Sequence, residues 1–186
     1  MNKEDLFKAL DFVNHSRENR QEMSTIILTN PELIKPLLSV AFTVDNPISS
    51  KACWVLEFTA KEKLEYIFPY LDMFTTNLHK VHLDPSVRPM AKICEYLTKS
   101  YFQKKESKCI KNLSNTHLEI IASNCFDWLI GEHKVAAQAY SMTSLLLLGR
   151  KFNWIYPELR MVLEQNYANG SAAYKARARM TLEKIK

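Results

Sequence analysis

The sequence predicts an all-α fold of about five antiparallel helix pairs. Three observations carry this. The 186 residues contain only three glycines, too few for a fold rich in tight turns. Apolar residues recur at helical spacing through most of the chain. A helix-start pattern also recurs, with copies beginning at Ile48, Val87, Val135 and Tyr174, separated by 39, 48 and 39 residues. With 47% apolar and 24% charged residues, the composition is that of a folded domain with a sizeable core.

In chain order, two helices over about 3–14 and 17–29 form an N-terminal capping pair within residues 1–30, with Ser16 suited to cap the second. Residues 31–186 form four further pairs. Their first helices are ELIKPLLSVAFT, YIFPYLDMFTTNL, HLEIIASNCFDWLI and WIYPELRMVLEQNY. Pro36, Pro69 and Pro157 sit inside three of them, where an interior proline predicts a kink. The second helices are ISSKACWVLEFT, VRPMAKICEYLT, VAAQAYSMTSLL and YKARARMTLEKI. Their fifth positions are Ala52, Ala91, Ala139 and Ala178, and positions one, five, eight and twelve share a helical face. A small residue at the centre of that face lets a neighbouring helix approach closely.

Punctuation supports the same boundaries. Asn46-Pro47 and Asp84-Pro85 each place a capping residue before a first-turn proline, and Ser171 is placed to cap the last helix. Gly131, Gly149 and Gly170 fall between helices, where C-terminal caps belong. The long 48-residue interval is assigned to residues 99–115, KSYFQKKESKCIKNLSN, as a helix end and a basic loop.

The proline in the first helix and the DPSVRPMA start of a second helix resemble HEAT repeats. The resemblance covers roughly residues 31–186. Only Arg88 supplies the arginine of the motif; Ser49, Ala136 and Lys175 stand at its place elsewhere, and the third pair lacks the proline. The resemblance implies a single-domain, right-handed α-α superhelix whose second helices line a concave face. Arg88, Lys92, Tyr96, Lys99, Tyr140, Lys175 and Arg179 would then line a mildly basic groove, with Ser49, Cys53 and Ala136 between them.

Charge is unevenly spread. Residues 1–98 hold 11 basic and 13 acidic side chains (−2), residues 99–149 hold 6 and 4 (+2), and residues 150–186 hold 8 and 3 (+5). A basic groove with tyrosines suits an acidic protein segment or phosphates. The leading functional expectation is a non-catalytic protein-interaction scaffold. Nucleic-acid binding is the alternative, on a resemblance to the alkylpurine DNA glycosylases, which cradle duplex DNA in a HEAT-like basic groove. None of that family's catalytic residues is matched here.

Motifs for other chemistry are sparse. Cys53, Cys94, Cys109 and Cys125 lack C-x-x-C spacing and read as reduced, mostly buried thiols. His79, His82 and Asp84 cluster in a turn, with no further ligand to complete a metal site. No phosphate-binding or dinucleotide glycine loop occurs, and nothing calls for a cofactor. Gly170, Ser171 and Lys175 in NGSAAYKAR are similar to part of the fumarase/adenylosuccinate lyase loop, but its second serine, Met-Pro pair and final Asn are missing. Trp54, Trp128 and Trp154 fall on apolar faces and read as core, and Met142, Met161 and Met180 as gap fillers. No apolar run approaches a membrane span, and the charged MNKEDLFKAL start lacks a signal-peptide core, so a cytoplasmic protein is expected.

Overall fold

The computed structural model describes residues 3–103 and 111–185. Cys109 and the centre of the expected basic loop lie outside the described residues. Among the described residues, all regular structure is helical. The helices are α1 (Lys3–Ala9), α2 (Arg17–Thr29), α3 (Ile34–Ala41), α4 (Pro47–Glu62), α5 (Leu71–Asn77), α6 (Asp84–Tyr101), α7 (Asn115–Ile130), α8 (Val135–Leu148), α9 (Ile155–Tyr167) and α10 (Ala172–Leu182). Tight 3-10 turns precede α3 and flank α5.

Contacts sort the even-numbered helices into a succession: α2 packs on α4, α4 on α6, α6 on α8 and α8 on α10. Four of them pack as well on an odd-numbered helix: α4 on α3, α6 and α8 on α7, and α10 on α9. Because α6 is covered by both α4 and α8, it buries Val87, Met90, Ala91, Ile93, Cys94 and Leu97 completely. At about 25 cal/mol per Å² of apolar surface, each large side chain among these stabilises the fold by roughly 1.5–3 kcal/mol.

The seams between successive even helices carry paired hydroxyls. Ser24 on α2 meets Thr59 on α4 at 3.2 Å, Ser50 meets Ser86 on α6 at 2.8 Å, and Thr98 meets Ser144 on α8 at 3.4 Å. These short side chains let backbones approach and satisfy each other in a dry seam. Ser86→Ala strands a buried Ser50 hydroxyl and is expected to cost about 1–3 kcal/mol in urea unfolding, whereas Ser50→Ala with Ser86→Ala together costs less than the single change.

Capping follows the sequence at most starts. Ser16 accepts from the Asn19 N–H, Asn46 from Ile48, and Ser171 from Tyr174. Asp84 differs. It is the first residue of α6 and makes no cap; its Oδ1 instead accepts from His133 Nδ1 at 2.9 Å. The prolines also differ from expectation. Pro36 and Pro157 are the third residues of α3 and α9, and Pro69 lies in the 3-10 turn before α5. Pro36 and Pro157 occupy first turns, where the missing N–H has no intrahelical partner to lose, so they start helices rather than kink them, whereas Pro69 lies inside its 3-10 helix just ahead of α5.

Pro89 lies inside α6 and removes the N–H that would bond the Pro85 carbonyl. That carbonyl accepts the Trp54 indole N–H from α4 at 2.7 Å. The second proline of DPSVRPMA therefore converts an intrahelical acceptor into an inter-helix one.

The alanine register holds for Ala52, Ala91 and Ala178, all fully buried. It fails at α8. Ala139 is half-exposed, and Ala137, Ser141, Met142, Ser144, Leu145 and Leu148 form the buried face. Helix α8 is apolar nearly all round, so its sequence does not mark which side is inside. Trp54 and Trp128 are core, but Trp154 is 48% exposed and stacks on Phe126 at 5.8 Å. Met142 fills the core, whereas Met161 and Met180 are exposed. Gly149 closes α8 without a left-handed backbone; a Cβ there would fall 2.0 Å from the Tyr156 ring, so close approach explains this glycine.

A candidate binding strip across the even helices

Each seam between successive even helices is bridged by a cation. Arg20 of α2 lies 5.4 Å from the Trp54 ring and 5.5 Å from the Phe58 ring of α4. Arg88 of α6 forks onto Glu57 of α4, donating to Oε1 at 3.2 Å and Oε2 at 2.6 Å. Lys92 of α6 lies 4.3 Å from the Tyr140 ring of α8 and 5.0 Å from the Tyr96 ring. Arg177 of α10 donates to the Thr143 hydroxyl of α8, one turn beyond Tyr140.

Helical spacing places these groups. On α4, Ser50, Trp54 and Glu57 share a face and meet the start of α6 as one ladder: hydroxyl to Ser86, indole to Pro85, carboxylate to Arg88. On α6, Lys92, Glu95 and Lys99 follow i, i+3, i+7 spacing. Glu95 accepts from Lys92 at 2.6 Å and from Lys99 at 2.7 Å.

The two carboxylates are deep. The Glu57 side chain is 10% exposed and that of Glu95 3%. Burial pushes the Glu95 carboxyl up, but the two lysines outweigh it and hold it below its ordinary value. The Tyr96 phenol is pushed up to about 12 by burial first, then by Glu57, Glu95 and Tyr140. It is a neutral donor at physiological pH. Burial and the neighbouring Arg88 charge pull the Arg20 guanidinium below its usual value, against Glu57 and Glu18.

The strip contains five of the sequence-expected residues: Arg88, Lys92, Tyr96, Lys99 and Tyr140. The structure does not bring Arg179 to them. Arg179 lies with Leu182 and Glu183 against Glu164 and Tyr167 of α9, and Lys175, one turn earlier, shares that face of α10. The register holds at α10, where Ala178 is buried; Arg177 and Arg179 lie on opposite flanks of it, and Arg177 is the one turned towards α8. Cys53 is fully buried with its thiol pushed up to about 12 by burial, and belongs to the core. Sequence reasoning missed Arg20, Glu57, Glu95 and Arg177. The Lys92–Glu95–Lys99 spacing was available as a signal; the cross-helix pair of Arg88 with Glu57 was not.

Other chemistry does not assemble. Asp84 turns to His133, and His82 Nε2 lies 3.6 Å from Asp45 Oδ1, so the His79–His82 turn does not converge. Among the described residues, no group of three or more His, Cys, Asp or Glu side chains could hold a metal ion. Ser171 is committed to its cap. Among the described residues, no helix is long and apolar enough to cross a membrane. The chain matches no known family, no curated protein and no solved structure.

Proposed function

We propose that the chain is a HEAT-like helical stack and a non-catalytic binding module that holds an extended acidic protein segment along this strip. The observation carrying the reading is the run of cations, one at every seam from α2 to α10, around half-buried tyrosines. Five cations (Arg20, Arg88, Lys92, Lys99, Arg177) stand against two carboxylates (Glu57, Glu95), leaving the strip at +3. The surplus sits towards the ends. Arg88, Lys92 and Lys99 are paired at the centre, while Arg20 donates to the Ser16 and His15 carbonyls beside its aromatic rings and Arg177 donates to a hydroxyl.

Four inter-helix steps of 8–10 Å span about 32–40 Å. An extended segment of about ten to twelve residues matches that length. Acidic side chains near its ends would meet Arg20 and Arg177, and apolar or aromatic ones would meet Tyr96 and Tyr140. The neutral phenol of Tyr96 and the charge-paired carboxylates offer no poised base, which supports binding over catalysis.

Duplex DNA asks for something different. It presents a phosphate every 1.7 Å or so of helix axis and rewards several cations free to replace counterions. Here two carboxylates already offset most of the charge of the central three cations, leaving the centre at +1. The test is fluorescence anisotropy with two labelled probes, a twelve-residue-scale peptide of Glu and Tyr and a short duplex. Tighter peptide binding at near-physiological salt, weakened about tenfold or more by Arg20→Glu with Arg177→Glu, is expected. Tighter duplex binding with a steep salt dependence would replace this reading with the nucleic-acid one.

A further inference from the structure

Away from the strip, α7 and α9 lie side by side against α8 and leave a groove of about 500 Å³ between them. Buried Phe126 and Val162 floor it, and Ile130, Trp154 and Met161 wall it. We propose that this groove docks an amphipathic helix of another protein, with apolar side chains at i, i+4 and i+7 and lysines or arginines beside them. The proposal does not depend on what the strip binds.

Helical spacing builds the groove. Trp154, Glu158, Met161 and Gln165 fall at i, i+4, i+7 and i+11 along one stripe of α9, starting from its cap position. Glu119, Ser123, Asp127 and Ile130 form the exposed stripe of α7 beside Phe126. Among the described residues, five large apolar side chains are exposed, and three of them meet here: Ile130 at 61%, Trp154 at 48% and Met161 at 46%. Single exposed apolar residues are ordinary, but a cluster of them over an apolar floor marks a surface that another molecule covers.

Charge selects the occupant. The chain carries +5 overall, yet these two stripes hold Glu119, Asp127 and Glu158 with no lysine or arginine, a local −3. Arg160 is on the opposite side of α9, where it meets Glu164 and the Ile185 carbonyl. Lys134 lies past the end of α7, with Glu132 beside it in the same turn. An apolar groove with an acidic rim favours a partner that carries cations at its edges. The same rim repels an acidic segment of the kind proposed for the strip, so the two surfaces take different partners.

The groove walls set the shape of that partner. Both are helices whose main-chain groups are already paired, so an extended segment finds no edge to bond. A helix satisfies its own backbone and presents side chains at matching spacing. Trp154 to Gln165 spans about 16 Å along α9, which about three turns of a docked helix cover.

The test is two-dimensional NMR of the whole chain, at pH 7 and near-physiological salt, with two synthetic helical peptides. Both place leucines at i, i+4 and i+7 of an alanine helix; one carries lysines beside them and the other glutamates. The proposal expects the lysine peptide to give saturable shifts at the Trp154 indole N–H and at residues 123–130 and 154–165. The glutamate peptide should bind there about tenfold more weakly. Ile130→Lys with Met161→Lys should weaken the lysine peptide about tenfold or more, and Glu158→Lys should narrow the gap between the peptides. All three positions are exposed, so the melting temperature should barely move. Four results would overturn the proposal: no shifts up to about 1 mM lysine peptide, equal binding of the two peptides at these residues, shifts confined to another surface, or a Trp154 indole signal that moves with the concentration of the chain alone, which would assign the groove to a second copy.

Discussion

Replacing Lys92 and Lys99 together by Met should destabilise the protein by about 3 kcal/mol at pH 7. Both substitutions keep an apolar stem and remove only the charge. What they leave behind is Glu95, 3% exposed and deprived of two contacts at 2.6 and 2.7 Å. An unpaired carboxylate at that depth takes up a proton instead of remaining charged. The cost of protonation sets a ceiling: from an unfolded value near 4.3 to pH 7, it is about 3.7 kcal/mol. A loss of about 3 kcal/mol lowers the melting temperature by roughly 6–12 °C in a chain of this size.

The pH dependence has a definite sign. In the wild type, the folded Glu95 carboxyl lies below its unfolded value. Its contribution is therefore present above the unfolded value and lost as pH falls through the folded one. In the double variant the folded value is raised, so the deficit shrinks from about 3 kcal/mol at pH 7 to about 1 at pH 5. Adding Glu95→Gln to the double variant should recover most of the loss. Guanidinium unfolding at the two pH values measures all of this, and a deficit below about 1 kcal/mol at pH 7 would show that Glu95 is not held by these lysines.

Ala91→Leu should cost about 1–3 kcal/mol by overpacking. Ala91 is fully buried on α6, which has α4 on one side and α8 on the other, so three added carbons have nowhere to go. Ala139→Leu is the matched control. It occupies the same position of the sequence pattern but is half-exposed on α8, and should change stability by less than about 0.5 kcal/mol. Equal effects at the two sites would contradict the packing described for α8.

Those two alanines also show how far the sequence could be read. Helix existence and order were legible because apolar periodicity, Asn46-Pro47, Ser16 and Ser171 act locally. The Asp84 cap was not, because its carboxylate is taken by His133, forty-nine residues away. The face of α8 was not, since a helix apolar all round carries no marker of its inside. The choice of Lys175 and Arg179 over Arg177 had another origin: Arg177 and Arg179 both flank buried Ala178, and only the packing of α10 on α8 shows which flank faces α8. On α6 the strip residues were readable because that helix has a clear polar stripe of Arg88, Lys92, Tyr96 and Lys99. Their carboxylate partners were half readable: Glu95 through its i, i+3 and i+4 neighbours, Glu57 only through the packing of α4 on α6.

The proposed recognition of an acidic protein segment is measured most sharply by replacing Tyr140 with a photo-crosslinking residue in cells expressing the chain and identifying what is captured. Exposed Thr76 on α5 serves as the control position. Discrete protein adducts are expected from position 140, crosslinked through Asp- and Glu-rich stretches and lost when Arg20→Glu and Arg177→Glu are added. Nucleic-acid adducts, or the same adducts from both positions, would contradict that recognition.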